Sequence, residues 1–115
     1  MTYISGFVTP VKPENKDAYI ESARMAWPLF QEFGALSMNE GWGDNTPDGK
    51  VTDFRRAVQA EAGEIVVFSW VVWPDKATAD AAEGKMMSDP RMEQLPMPFD
   101  GKRMIYGGFQ TIFEA

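Results

Sequence analysis

The apolar positions of this chain switch between strand-like alternation and helix-like steps of three and four. Tyr3, Ile4, Phe7, Val8 and Val11 form a β-rich opening stretch, and Pro10 near its end suits a sheet edge or a strand exit. Pro13 and Glu14 suit the first turn of a helix. Tyr19, Ala23, Ala26, Phe30 and Phe33 then lie along one helical face, widened by Ile20 and Trp27. Gly34 stands where such a helix needs a left-handed stop. Pro28 lies inside the stripe, so the pattern predicts one bent helix rather than two short ones. A second strand is expected from Ala35 to Trp42, with Leu36, Met38 and Trp42 alternating. Residues 43–63 are irregular, and a connection this long is commonly functional or part of an interface. Residues 64–73 form the clearest strand, closed by Pro74. Asp75 is a good N-cap for a second helix through Ala77, Ala81, Ala82, Met86 and Met87. Ser88-Asp89-Pro90 ends that helix and opens a short helical turn at Arg91 to Gln94. Asp100-Gly101 marks a turn, and Arg103 to Phe113 reads as the last strand.

The order β-α-β-β-α-β predicts an α+β, ferredoxin-like domain: a four-stranded antiparallel sheet with both helices on one face. The other face then lacks a cover within the chain. A half-exposed strand should alternate apolar and polar residues, and these strands do not. In the third strand Ile65, Val67 and Val71 share one face, while Val66, Phe68, Trp70 and Val72 share the other. In the last strand Ile105, Phe109 and Phe113 oppose Met104, Tyr106 and Ile112. Leaving about four large side chains in water would forgo roughly 6–12 kcal/mol. A second copy packed sheet against sheet is the simplest cover, which predicts a two-fold homodimer, the dimeric α+β barrel.

Composition adds exclusions. With 115 residues the chain is one domain, 1–115. It has no cysteine and no histidine, so it offers no disulfide, zinc-thiolate site, Fe–S cluster, haem histidine or Ser-His-Asp triad. No metal and no cofactor is expected. Seventeen acids oppose 11 bases, a net charge of −6 that disfavours nucleic acid and acidic membrane surfaces as partners. The opening Met1-Thr2-Tyr3-Ile4 runs straight into a strand without a signal-peptide pattern, and no apolar run is long enough to span a bilayer. The expected compartment is the cytoplasm.

Four blocks carry a resemblance. Asp48 to Arg55, Val66 to Trp70, Lys85 to Met92 and Met97 to Phe109 closely resemble the YbaA-like family of small, functionally uncharacterised bacterial proteins. Tyr3 to Val11 and Phe30 to Leu36 are similar to it as well, so the likeness covers nearly the whole chain. The resemblance implies the dimeric α+β barrel and implies no reaction.

The residues themselves offer a small set of candidates. Asp53, Arg55 and Arg56 concentrate charge in the long connection. Either arginine can hold a ligand carboxylate or phosphate, with Asp53 orienting the guanidinium; the competing reading is a loop ion pair. Trp70, Phe68, Trp42 and Tyr106 are candidates to wall a pocket for a flat organic ligand, against ordinary core and interface packing. The Tyr106 hydroxyl is the one weak catalytic candidate, as an acid or hydrogen-bond donor. Glu40 qualifies as a general base if buried, against a surface strand carboxylate. Met86, Met87 and Met92 read as soft packing. The expected ligand is a small, anionic or aromatic organic molecule, bound where residues 52–56 meet the third and fourth strands. Two functions compete: a small-molecule-binding barrel, extending to a cofactor-independent enzyme, and a non-catalytic structural or binding dimer.

Overall fold

The computed structural model describes all 115 residues. Strand β1 (Tyr3–Val11) leads through a single 3-10 turn at Pro13–Asn15 into helix α1 (Lys16–Glu32). Strand β2 (Ser37–Trp42), the short helix α2 (Phe54–Ala57), strand β3 (Ile65–Trp73), helix α3 (Lys76–Ser88), the short helix α4 (Pro90–Glu93) and strand β4 (Ile105–Gln110) follow. The strands form one antiparallel sheet in the order β2-β3-β1-β4. This is the ferredoxin-like α+β arrangement that the order of elements predicts.

Local chemistry sets the boundaries. Asp75 accepts the Thr78 N–H at 2.7 Å and caps α3. Gly34, at φ 109°, ends α1, and a Cβ there would lie 2.6 Å from the Thr78 methyl. The Ala35 N–H still bonds back to the Phe30 carbonyl, which delays β2 to Ser37 rather than Ala35. Helix α1 runs unbroken through Pro28. Strand β4 is shorter than the apolar pattern of residues 103–113 suggests. Past Gln110 the pairing with β1 closes in one further bond, from the Thr111 N–H to the Thr2 carbonyl at 3.2 Å, and Arg103 is still in the Asp100 turn. Helix α2 was not legible in the pattern; Asp53 caps it by accepting the Arg56 N–H at 2.7 Å.

The two long helices cover one face of the sheet. Leu29 and Phe33 of α1 and Ala79 and Ala82 of α3 pack on Val71 and Trp73. Tyr19 joins Val11 and Val67 at the other end of α1. Trp73 is almost fully buried and donates its indole N–H to the Ser5 hydroxyl at 3.0 Å. The pairing register puts Ile4, Val8, Phe68, Trp70, Val72, Ile105 and Phe109 on the opposite face. Phe68, Ile105 and Phe109 are 46%, 45% and 59% exposed there, so this face is apolar and open. Gly6 and Gly107 pair across β1 and β4 beneath the Phe109 ring; a Cβ on either would come within 3.4 Å of it. Phe54 of α2 leans on Phe68, ring centroids 6.1 Å apart, so the long connection extends this open face. No helix is long and apolar enough to cross a membrane.

Candidate functional site

The charged residues of the long connection are turned inward on their own loop. Arg55 donates to the Glu64 and Glu61 carbonyls at 2.6 and 3.0 Å. Arg56 donates to the Val51 and Gly49 carbonyls and pairs with Asp53 at 3.2 Å. Asp53 also accepts the Gly49 N–H. These bonds hold its carboxyl below the ordinary carboxylate range, the Arg56 and Gly49 N–H groups being the largest causes. Most of the polar capacity of all three residues is therefore spent on shaping residues 49–64.

Trp70 and Tyr106 are not brought together. Trp70 pairs with Gly6 and Tyr106 with Phe7, so they project from opposite faces of the sheet. Trp70 stands on the open face against Phe68, centroids 5.4 Å apart. Tyr106 is 71% exposed on the helix side and stacks on Phe7 at 6.4 Å. It borders a shallow cleft of about 210 Å³ with Tyr3, Asp80 and Glu83. Asp53, Arg55, Arg56, Trp70 and Tyr106 do not form one cluster.

A larger cavity of about 300 Å³ lies elsewhere, between α1, the helix-facing side of the sheet and the segment from α3 to β4. Fourteen of its 19 lining residues are hydrophobic, among them Phe7, Phe30, Val71, Trp73 and five methionines: Met38, Met86, Met92, Met97 and Met104. No lysine or arginine lines it, and its only carboxylate is Glu40. An anionic group placed here would meet like charge with no cation to offset it.

The polar groups of this cavity follow from strand register. Glu40 pairs with Ser69, and Ser69 with Phe7, so all three share the helix-facing side. Residue 40 belongs to an edge strand and keeps much of its surface in solvent, as a surface strand carboxylate should. Its carboxyl nonetheless reaches over the sheet to the buried Tyr19, whose hydroxyl donates to Oε2 at 2.9 Å. Burial pushes the Glu40 pKa above the usual carboxylate range, opposed by the hydrogen bonds from Tyr19 and Ser69. Burial also raises the Tyr19 phenol, reinforced by the Glu40 charge, so Tyr19 stays a neutral donor.

Thr9 completes the set. It pairs with Val67 on the same face, is 2% exposed and lines the cavity, and its hydroxyl has no hydrogen-bond partner. A buried hydroxyl left in this state costs about 1–3 kcal/mol. Neither Tyr19 nor Thr9 was singled out as a polar candidate from the sequence. Tyr19 reads as part of the apolar stripe, and Thr9 as an ordinary strand residue. The usable signal was parity, since Glu40 alternates with Met38 and Trp42 and so must face the helices.

Comparison with known proteins fits this architecture. The chain matches the family model described as Protein of unknown function (DUF1428) over residues 2–101. It is 60% identical over 116 residues to "Uncharacterized protein YbaA" of Escherichia coli strain K12, covering 99% of each chain, and equally to that of Shigella flexneri. A dimeric ferredoxin-like protein from an uncultured marine organism superposes with a TM-score of 0.63 at 12% identity, covering 99% of this chain and 98% of the other. A dimeric ferredoxin-like protein of unknown function from Jannaschia sp. CCS1 gives 0.57 at 12% identity, with 95% and 99% coverage. A Nitrosomonas europaea protein provisionally named an antibiotic biosynthesis monooxygenase gives 0.53 at 9% identity, with 97% and 91% coverage. At these identities the structural likenesses speak for the fold alone.

Proposed function

The chain belongs to the DUF1428 family, proteins of unknown function, and from that premise we propose that it binds a small, neutral, largely apolar organic molecule as a two-fold homodimer. The binding site is the cavity beneath α1. The observation that carries this reading is the Tyr19–Glu40 hydrogen bond at the wall of a space otherwise lined by methionines, aromatics and aliphatics. Apolar pockets with a few convergent polar groups are the ordinary form of small-molecule sites. Glu40 supplies an acceptor for a ligand proton, and Tyr19 holds that carboxylate in place. The anionic ligand class suggested by Arg55 and Arg56 gives way to a neutral one, because those guanidiniums point into their own loop.

The dimer rests on a separate observation, the uncovered apolar face carrying Phe68, Ile105 and Phe109. About half of each of these side chains is still open to water, and burying it would contribute roughly 2–5 kcal/mol before the cost of association. The two relatives of like fold named as dimeric support the same assembly.

Thermal-shift screening of a panel of neutral ketones, phenols and lactones tests the binding reading. A ligand at 100 times its Kd stabilises the folded protein by about 2.7 kcal/mol. Ala23→Phe fills the cavity from α1 and should abolish that shift without lowering the melting temperature of the empty protein by more than a few degrees. A shift that survives this substitution would place the ligand elsewhere. If no member of the panel stabilises the protein, the competing reading, a non-catalytic structural dimer, stands instead.

A further inference from the structure

We infer that the cavity is a cofactor-independent proton-transfer site for carbon acids, in which Glu40 moves a proton to and from carbon and the Thr9 hydroxyl holds the carbonyl oxygen. The inference rests on the binding reading above and goes beyond it to a substrate class and a reaction. Glu40 and Thr9 line the same cavity from strands on either side of β3; the register sets Glu40 in one row with Ser69 and Phe7, and Thr9 in the next row of the same face with Val67 and Trp42. Strands lie about 4.8 Å apart, and the two residues are also two positions out of step, about 7 Å along the strands, so their backbones are roughly 12 Å apart across the sheet. Two side chains reaching inward leave room for a short fragment, such as a carbonyl and its neighbouring carbon.

The two groups differ in a way that fits this chemistry. Glu40 is already positioned, its Oε2 fixed by Tyr19, and it is the only carboxylate lining the cavity. Thr9 is a buried donor with nothing to donate to. Buried hydroxyls are almost always paired, so an unpaired one in a cavity wall is free to bond an atom that enters the cavity. A carbonyl oxygen is the acceptor it lacks. In such a substrate the Glu40 carboxylate removes a proton from the carbon next to the carbonyl. The C–H electron pair becomes the new C=C bond, and the carbonyl π pair moves onto oxygen, where the Thr9 O–H stabilises it. The carboxylic acid so formed returns the proton to the same carbon, or to the far end of an unsaturated chain while the C=O bond re-forms. The net change is proton exchange or double-bond migration, with no oxidant, reductant or co-reactant. The apolar wall suits a neutral ketone and weakens water's competition for the enolate.

β-Tetralone is a suitable probe, being neutral, apolar and a ready carbon acid. Exchange of its α-protons in D2O is followed by NMR with wild-type protein, Glu40→Gln and Thr9→Val, alongside a thermal-shift titration of the same ketone. Wild type should exchange well above the buffer blank, and Glu40→Gln should fall to the blank. Thr9→Val should lose about a hundredfold in exchange rate. It should also melt at a higher temperature than wild type, because it removes an unpaired buried hydroxyl without changing shape. A purely structural threonine would show the opposite stability change and no effect on exchange. Exchange at the blank rate in wild type overturns the proton-transfer inference. If the ketone still gives a saturable thermal shift, the binding reading survives; if it does not, the panel above decides that reading on its own.

Discussion

The Arg103 side chain ties Asp100 to Gln59 and Glu64, which are distant from it in the chain, and its removal is a sharp test of the packing described above. Its guanidinium holds Glu64 with two parallel bonds of 2.7 and 2.9 Å, donates to Asp100 at 2.9 Å and reaches the Gln59 carbonyl at 3.0 Å. The Glu64 side chain is 5% exposed and Arg103 19%. Arg103→Ala leaves the Glu64 carboxylate with one fixed donor, the Glu61 N–H at 2.6 Å. Stripping one partner from a buried pair costs about 3–5 kcal/mol. About a fifth of the Arg103 side chain stays in water, which screens part of the pair and reduces the expectation to about 2–3 kcal/mol. For a chain of this length that is a fall of about 8–12 °C in melting temperature, read at fixed protein concentration. A double-mutant cycle with Glu64→Gln isolates the pair: on that background Arg103→Ala should cost less than about 1 kcal/mol. A pH arm checks the same bond. The Arg103 hydrogen bonds lead the causes that depress the Glu64 carboxyl from 4.5 to about 2. Its contribution is therefore complete above pH 4.5 and is lost as pH falls from there toward 2. Arg103→Ala should flatten that acid limb. A variant that melts within about 3 °C of wild type with an unchanged acid limb would show that the pair is solvent-screened and holds nothing together.

Phe68→Asp should convert the proposed homodimer to a species with the 12.9 kDa mass of one chain in light scattering at tens of micromolar; a mass unchanged from wild type would show that this face is not the interface. Glu40→Gln should raise stability at pH 7 by at most about 1 kcal/mol. Because Glu40 titrates above its ordinary 4.5, wild type loses stability as pH rises from 4.5 through that raised value, so the two proteins should converge at pH 4. Thermal melts across pH that stay parallel would show that folding leaves the Glu40 carboxyl as well hydrated as it is in the unfolded chain. Pro28→Ala restores a backbone N–H within α1, so it should leave the circular dichroism unchanged and stabilise by about 1–2 kcal/mol. A lost helical signal would mean that α1 depends on the proline.

The fold was legible because its signals are local and mutually consistent. Pro74, the Asp75 cap and Gly34 set boundaries by backbone chemistry that operates whatever the tertiary context. The doubly apolar β3 pointed to an open face without any long-range information. The site was less legible because it depends on which residues meet. Arg55 and Arg56 looked available for a ligand, yet the carbonyls of Val51, Glu61 and Glu64 that receive them belong to the folded loop. Trp70 and Tyr106 were grouped by residue type, and strand parity separates them. Arg103 was visible beside Asp100, but its bond to Glu64, 39 positions away, is a product of the tertiary fold.

Five of the eight methionines of this chain share one cavity wall, and that concentration has a chemical cost as well as a mechanical use. Thioethers re-pack easily around ligands of different outline, but each can also be oxidised to a sulfoxide, a strong acceptor that an apolar wall cannot satisfy. Met97, 63% exposed, is the accessible one, while Met38, Met86, Met92 and Met104 are shielded to varying degrees. Peroxide should therefore modify the wall in sequence from Met97 inward, and peptide mass spectrometry can order the steps. Random order would mean that the wall opens as a whole. A wall made of thioethers is thus a compartment whose polarity depends on the oxidants it has met.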